Sequence, residues 1–100
     1  MPTKLVNAHK FRKILFETPP PRKRVEVEIE ASNPIDIYVV QKSDLEEWKS
    51  GEDYGGMSFQ GKKKLTFQFR VERDFDDEWY LILENDSDIA VAVHYEVYDI

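Results

Sequence analysis

Two histidines and no cysteine limit the chemistry that this chain can perform. A serine or histidine hydrolase needs a base within hydrogen-bond reach of a nucleophile, and a third group that orients the base. His9 and His94 lie near opposite ends of the sequence, and neither belongs to a Gly-x-Ser-x-Gly or His-Glu-x-x-His motif. The sequence therefore predicts a protein that is not an enzyme and that holds no cofactor.

Carboxylates flank the apolar residues 79–83 and are the sharpest candidates for a cation site. They comprise Asp74, Asp76, Asp77, Glu78, Glu84, Asp86 and Asp88. Calcium takes about six to eight oxygen ligands, which the loops at one end of a β-sandwich can supply. A strand over residues 79–83 would hold the two clusters about 17 Å apart, so they would not form one site. We expect no metal site, and ligand or calcium binding by the acidic loops is the alternative function.

Basic residues are concentrated in the first segment. Residues 1–24 carry seven basic side chains and one acidic side chain, a net charge of +6, whereas residues 25–100 carry 7 basic and 19 acidic ones, a net charge of −12. The cluster Arg22, Lys23 and Arg24 could contact an anion such as phosphate. Nucleic acid binding is not expected, because the acidic body would repel it. We expect these cations, together with Lys10, Arg12 and Lys13, to lie beside the glutamates of residues 26–30 instead, or to offset the acidic body as cross-strand pairs.

Length and composition indicate one domain. The chain has 100 residues, of which 41% are hydrophobic, and this suffices for a single core without disulfides. No run approaches the roughly 20 apolar residues of a membrane span. The first residues lead into no continuous apolar stretch, so no signal peptide is expected. The expectation is a soluble protein, cytoplasmic if the chain is complete.

Alternation with a period of two dominates the sequence and predicts β-strands. In residues 25–31 every odd position is apolar and every even position is glutamate. Residues 35–40, 65–72 and 89–97 alternate similarly, whereas residues 79–83 are apolar on both faces and predict a central strand. The expected fold is all-β, an antiparallel two-sheet β-sandwich of jelly-roll or immunoglobulin-like size. Its predicted core consists of Val27, Ile29, Phe67, Phe69, Leu81 and Leu83.

Turn signals divide these strands. Asn33-Pro34 predicts a turn after the first alternating run, Gly61 is expected to open a later strand, and residues 62–64 are expected to form a solvated turn. One helical turn is expected at residues 44–49. Ser43 would cap it, with Glu46 completing a capping box, and Gly51 would end it.

The N-terminal part forms a separate unit of the predicted domain. Residues 1–23 are a basic segment with an edge strand at residues 10–17 and a stiff triple-proline linker, and residues 24–100 are the sandwich body. Phe11 and Phe16 in this edge strand are expected to bury apolar area. Both parts belong to one predicted domain, which spans residues 1–100.

Two sequence strings, and their order, resemble a known family. Residues 31–40 read ASNPIDIYVV, residues 79–85 read WYLILEN, and a valine-rich strand follows. This is similar to the small β-sandwich accessory modules of the GOLD (p24-like) and prepeptidase-C-terminal type, over about residues 24–100. The resemblance implies a non-catalytic appendage that binds another protein or another part of its own chain.

Four apolar residues lie on strand faces opposite the predicted core. They are Tyr38, Val40, Tyr80 and Ile82. If their strands are adjacent, these side chains form an exposed apolar patch, and such patches mark partner sites. The helix at residues 44–49 or the N-terminal segment could cover them instead. The function that follows is a non-catalytic β-sandwich interaction module, with a protein partner or self-association.

Overall fold

The computed structural model describes residues 3–15, 23–52, 56–71 and 78–99. These residues form six antiparallel strands and one short helix, so the all-β prediction is confirmed. The elements are β1 (Thr3–Val6), β2 (Lys10–Leu15), β3 (Lys23–Gln41), a 3₁₀ turn (Lys42–Asp44), α1 (Leu45–Ser50), β4 (Gly56–Val71), β5 (Trp79–Asn85) and β6 (Val91–Asp99). Of the described helices, none is long and apolar enough to cross a membrane.

The 19-residue strand β3 organises the sheet. Along one edge its first half pairs with β6, through residues 25–31, and its second half pairs with β5, through residues 36–41. Along its other edge it pairs with β4. The order of strands is β1-β6-β3-β5-β2, so β1 and β2 are the outermost strands of this path.

The predicted turn at Asn33-Pro34 is wrong, because β3 continues through it. The register with β4 shifts between Glu30 and Ile35, where β3 leaves β6 and joins β5. The Ser32 hydroxyl accepts a hydrogen bond from the Ala92 backbone N–H there, at 3.0 Å. A register shift accommodates the proline, which has no N–H to donate to a ladder.

The strand β4 also runs through its predicted interruption. Gly61 lies inside it with a φ of 63°, and its N–H donates to a carboxylate oxygen of Asp36 at 2.9 Å. This irregularity bends the strand without ending it, because glycine adopts a positive φ without steric penalty. The predicted turn at residues 62–64 is therefore wrong, and these exposed lysines lie in the strand.

The buried faces follow the predicted alternation. In β3, Val25, Val27 and Ile29 are buried, and in β5 Leu81, Ile82 and Leu83 have no exposed surface, as expected for a central strand. Five of the six predicted core residues are buried, and the sixth, Phe69, is half-buried and packs against the same cluster. The core predicted from period-two alternation is therefore confirmed, with Phe69 at its margin.

The helical turn is present, but its predicted cap is wrong. Ser43 lies within the 3₁₀ turn, and α1 begins after Asp44, which makes no side-chain capping hydrogen bond. The C-terminal prediction is confirmed, because Gly51 ends α1 in the left-handed conformation at φ 76°. Its N–H bonds the carbonyl of Trp48 at 3.2 Å, as is usual for helices that end at glycine.

The N-terminal segment pairs as a strand, as predicted. The six residues of β2 pair with β5 at the edge of the sheet, while Phe16, Glu17 and the triple proline lie outside the described residues. An additional strand, β1, pairs with β6. Phe11 is 40% exposed, so it buries part of its ring, as expected, but is not a core residue.

Candidate interaction surface

The helix α1 lies over the outer face of β3 and β5, where four partner residues were predicted. Val40 and Ile82 have no exposed surface and form a second apolar cluster with Leu45. Tyr38 and Tyr80 are half-buried at the margin of this cluster. The chain thus covers the centre of the predicted patch itself and leaves the two tyrosines in partial contact with solvent.

Aromatic contacts extend this surface onto β2. The ring of Trp48 in α1 meets Phe11 edge-on, with centroids 5.1 Å apart and planes at 79°. Trp48 also meets Tyr38, at 5.4 Å and 64°. Leu15, which is 41% exposed, lies directly across from Tyr80. We call Phe11, Leu15, Tyr38, Trp48 and Tyr80 the apolar patch.

The surface positions of Phe11 and Leu15 were not predicted, although the spacing of the two residues indicates a shared strand face. Phe11, Lys13 and Leu15 alternate along β2, and their partners on β5 are Glu84, Ile82 and Tyr80. Residues at alternate positions share one face of a strand. The half-buried Ile14 instead faces the core. The sequence alone does not show that β2 pairs with β5, and therefore does not show which β2 side chains face the core and which face outward.

Two charged residues, Lys13 and Glu84, share this face with the apolar patch. The Lys13 ammonium lies 4.7 Å from the centroid of the Tyr80 ring, within the range of a cation–π contact. Beyond Ile82 on the same face, Glu84 lies opposite Asp36. Burial, and then the negative charges of Asp36 and Asp86, raise the pKa of the Glu84 carboxyl above its ordinary value. Lys13, opposite Ile82, thus lies within the patch between Phe11 and Leu15, whereas Glu84 lies at its margin.

The glutamate-rich face of β3 lies on the other half of the sheet. The Tyr98 hydroxyl in β6 lies 2.8 Å from a carboxylate oxygen of Glu96 and 3.2 Å from one of Glu28. Its contacts with the two carboxylates, led by the hydrogen bond to Glu96, raise the pKa of Tyr98 to about 12. Because a hydroxyl has only one proton to donate, the two carboxylate acceptors share the Tyr98 donor.

The predicted basic cluster is only partly described. Arg22 and the Lys23 side chain lie outside the described residues, and Arg24 is exposed at the start of β3. An anion contact there stays a prediction. The other N-terminal cations, Lys10, Arg12 and Lys13, lie on β2 beside β5. The prediction that they lie beside the β3 glutamates is therefore wrong. Lys64 of β4 lies opposite Glu30 instead.

The histidines and the acidic turn make local polar contacts. The Thr3 hydroxyl lies 2.7 Å from Nδ1 of His94, which is exposed on the polar face of β6. His9 lies between β1 and β2, with a nitrogen 2.7 Å from Asp88 and another 3.8 Å from Asp86. Within residues 3–15, 23–52, 56–71 and 78–99, no three such side chains are placed to hold a metal ion. Asp74, Asp76 and Asp77 lie outside these ranges.

Comparison with known proteins adds no relative. No protein-family model matches the chain, and no curated protein has a significantly similar sequence. The apolar patch and the topology of β3 are therefore the features on which a functional proposal must be based.

Proposed function

We propose that this chain is a non-catalytic interaction module that binds a protein partner through the apolar patch. The observation that carries the proposal is the exposure of Phe11 and Leu15, 40% and 41%, beside the half-buried Tyr38, Trp48 and Tyr80. Single exposed apolar residues are common on protein surfaces, whereas contiguous groups of them mark interaction sites. The apolar patch is a group of neighbouring apolar residues of this kind.

The composition of the patch favours a protein as the partner. Tryptophan, tyrosine and phenylalanine are enriched at the centres of protein interfaces, where they contribute most of the binding energy. The edge-on contacts of Trp48 with Phe11 and Tyr38 restrain these rings before binding. A restrained ring loses less conformational entropy when a partner covers it. Glu84 would then form part of a polar rim, whereas Lys13, over the Tyr80 ring, would lie within the interface.

The proposal includes a two-sheet architecture. The first half of β3 would belong to one sheet with β6 and β1, and the second half to another with β5 and β2. Supporting this, Val27 of the first half and Val39 of the second share one buried cluster, and the molecule is only 16 Å deep along its shortest axis. Such a sandwich agrees with the GOLD-like accessory modules that the sequence resembles, which likewise have no catalytic role.

Site-specific photocrosslinking tests the proposed function. A photoreactive phenylalanine analogue at position 11 should crosslink to a discrete protein in the native cells, whereas the same analogue at position 89 should not. Ile89 is a matched control because it is 54% exposed and lies in the β5–β6 turn, outside the patch.

Binding to the crosslinked protein, once purified, should respond to the same residues. Phe11→Ser and Leu15→Ser should each weaken binding at least about tenfold, as expected of interface anchors. Ile89→Ser and Leu5→Ser, at 54% and 52% exposure, should leave it unchanged. Equal binding by all four variants, with unfolding temperatures near that of the unsubstituted chain, would exclude the patch as the interface.

A further inference from the structure

The strand β4 has an edge that faces no other described strand. All of its backbone pairs are with β3, from residue 56 to residue 71. The 16 residues of β4 therefore present, along their second edge, backbone N–H and C=O groups that the described strands do not pair. An edge of this kind is a template for the addition of another strand.

Apolar side chains on β4 extend the core to this edge without being fully covered. Met57, Phe59, Leu65 and Phe69 are half-buried and pack against the main cluster. The rings of Phe59 and Phe67 are 4.8 Å apart. A strand added beside β4 would cover this row if its inward positions were apolar, because neighbouring strands lie only about 4.8 Å apart.

Charge favours an acidic strand. The consecutive, exposed Lys62, Lys63 and Lys64 lie near the middle of β4 in a chain whose net charge is −6. The other edge shows what β4 accepts, because β3 places Glu30 opposite Lys64 and Val27 opposite Phe67. In β3, apolar residues that pack in the core alternate with glutamates that lie on the polar face.

We propose that the free edge of β4 binds an extended segment of a partner protein in which apolar and acidic residues alternate. The segment would add a strand to the sheet, with backbone hydrogen bonds to β4, apolar side chains over Phe59, Leu65 and Phe69, and carboxylates near the lysines. The peptide site uses none of the five residues of the apolar patch, although one of them, Tyr38 on β3, lies opposite Ser58 of β4. If the lysines serve only to prevent edge-to-edge aggregation, as edge lysines often do, no such peptide binds.

A synthetic peptide tests the site directly. The probe is a fluorescent peptide of about seven residues, the length of a typical strand, with alternating valine and glutamate. Its fluorescence anisotropy should show saturable binding to the full chain below about 1 mM, weakened by about 0.5 M sodium chloride through screening. Backbone amides of β4 that exchange rapidly with solvent in the free chain should become protected when the peptide is present.

Two comparisons separate strand addition from simple charge attraction. The same peptide with an N-methyl group on every residue keeps its side-chain charges but loses the backbone N–H donors of both edges, and it should bind at least about tenfold more weakly. The triple variant Lys62→Glu, Lys63→Glu, Lys64→Glu should also weaken binding at least about tenfold. Because the N-methyl comparison uses the unsubstituted chain, it is valid even if the triple variant does not fold.

Three results would overturn the proposal. One is the lack of saturable binding by the valine–glutamate peptide. Another is equal binding by the N-methylated peptide, which would indicate charge attraction without a ladder. The third is a stable dimer of the chain in sedimentation experiments that protects the β4 amides without any peptide, which would identify a second copy as the occupant of this edge.

Discussion

The side-chain amide of Asn85 donates a hydrogen bond of 3.0 Å to the backbone carbonyl of Val6, and so fixes the end of β1 to the end of β5. The same amide nitrogen lies 3.3 Å from the carbonyl of Asn7 and 2.6 Å from that of Ile89. The amide oxygen accepts from the N–H and the hydroxyl of Ser87. Asn85 has no exposed surface, and both polar atoms of its buried amide have hydrogen-bond partners, as buried polar groups usually do.

Replacement of Asn85 should destabilise the fold strongly. Asn85→Ala removes the partner of three carbonyls and of Ser87, and we expect the free energy of unfolding to fall by about 2–4 kcal/mol, since an unsatisfied buried polar group costs about 1–3 kcal/mol. Urea denaturation measures this loss. Ser87→Ala is the control, because it keeps the bonds from Asn85 to the three carbonyls and loses only the contacts of the Ser87 hydroxyl with Asn85 and Ile89, and it should cost about 1 kcal/mol. Equal losses for the two variants would contradict the central role of Asn85.

The carboxyl of Glu84 should make stability depend on pH. Folding raises its pKa above 4.5, so between that value and the raised pKa the folded state binds more protons than the unfolded state. The contribution of Glu84 to the free energy of unfolding therefore falls as pH rises through this range.

Glu84→Gln removes this titration and should raise the melting temperature at pH 7. Below about pH 4.5 the carboxyl of the unsubstituted chain is protonated in both states, so the two proteins should there have similar melting temperatures. Thermal unfolding followed from pH 4 to pH 8 measures the difference between the two proteins. Glu30→Gln, an exposed glutamate on β3, is the control for the loss of one negative charge. A difference between Glu84→Gln and the unsubstituted chain that does not change with pH would refute the role of Glu84.

The loss of stability caused by a core substitution should increase with the burial of the residue replaced. Leu83→Ala removes a fully buried side chain and should cost about 2–5 kcal/mol. Phe69→Ala should cost about 2–3 kcal/mol, below the range for a fully buried phenylalanine, because its ring is half-buried against Trp79 at 5.0 Å. Denaturant unfolding gives both values. A loss under about 1 kcal/mol for Leu83→Ala would place β5 in a different register.

Removal of the N-terminal strands should lower stability in steps. Deletion of residues 1–9 takes away β1 and exposes one side of β6, and deletion of residues 1–17 also uncovers β5, whose Leu81 and Leu83 pack in the core. We expect a fall in melting temperature for the first deletion and a larger fall for the second. An unchanged melting temperature after the longer deletion would show that β2 adds nothing to the fold.

Period-two alternation was sufficient to predict the strands that have one buried and one polar face. In residues 25–31, each valine, isoleucine or alanine is buried and each glutamate faces outward, because a strand turns successive side chains to opposite faces. The four residues of β1 carry no such signal, since Lys4 and Leu5 are both exposed and only Val6 is buried. Pairing with β6, which is distant in sequence, makes this segment a strand.

The apolar patch was harder to predict than the core. Tyr38, Val40, Tyr80 and Ile82 were placed correctly on one outer face, because their strands alternate. The position of α1 over this face depends on contacts between distant residues, such as Leu45 with Ile82 and Trp48 with Phe11. Sequence spacing within a six-residue helix does not specify which sheet surface it covers.

The pairing of β3 with both β5 and β6 also governs when the chain can fold during its synthesis. By the time β3 and β4 have left the ribosome they can form a hairpin, but a lone two-stranded hairpin is marginally stable in water. Val27 and Ile37 acquire their partners Val97 and Leu83 only from segments translated later. The nascent chain therefore keeps one edge of an apolar strand unpaired until β5 and β6 have been translated, and exposed edges of this kind favour aggregation of folding intermediates.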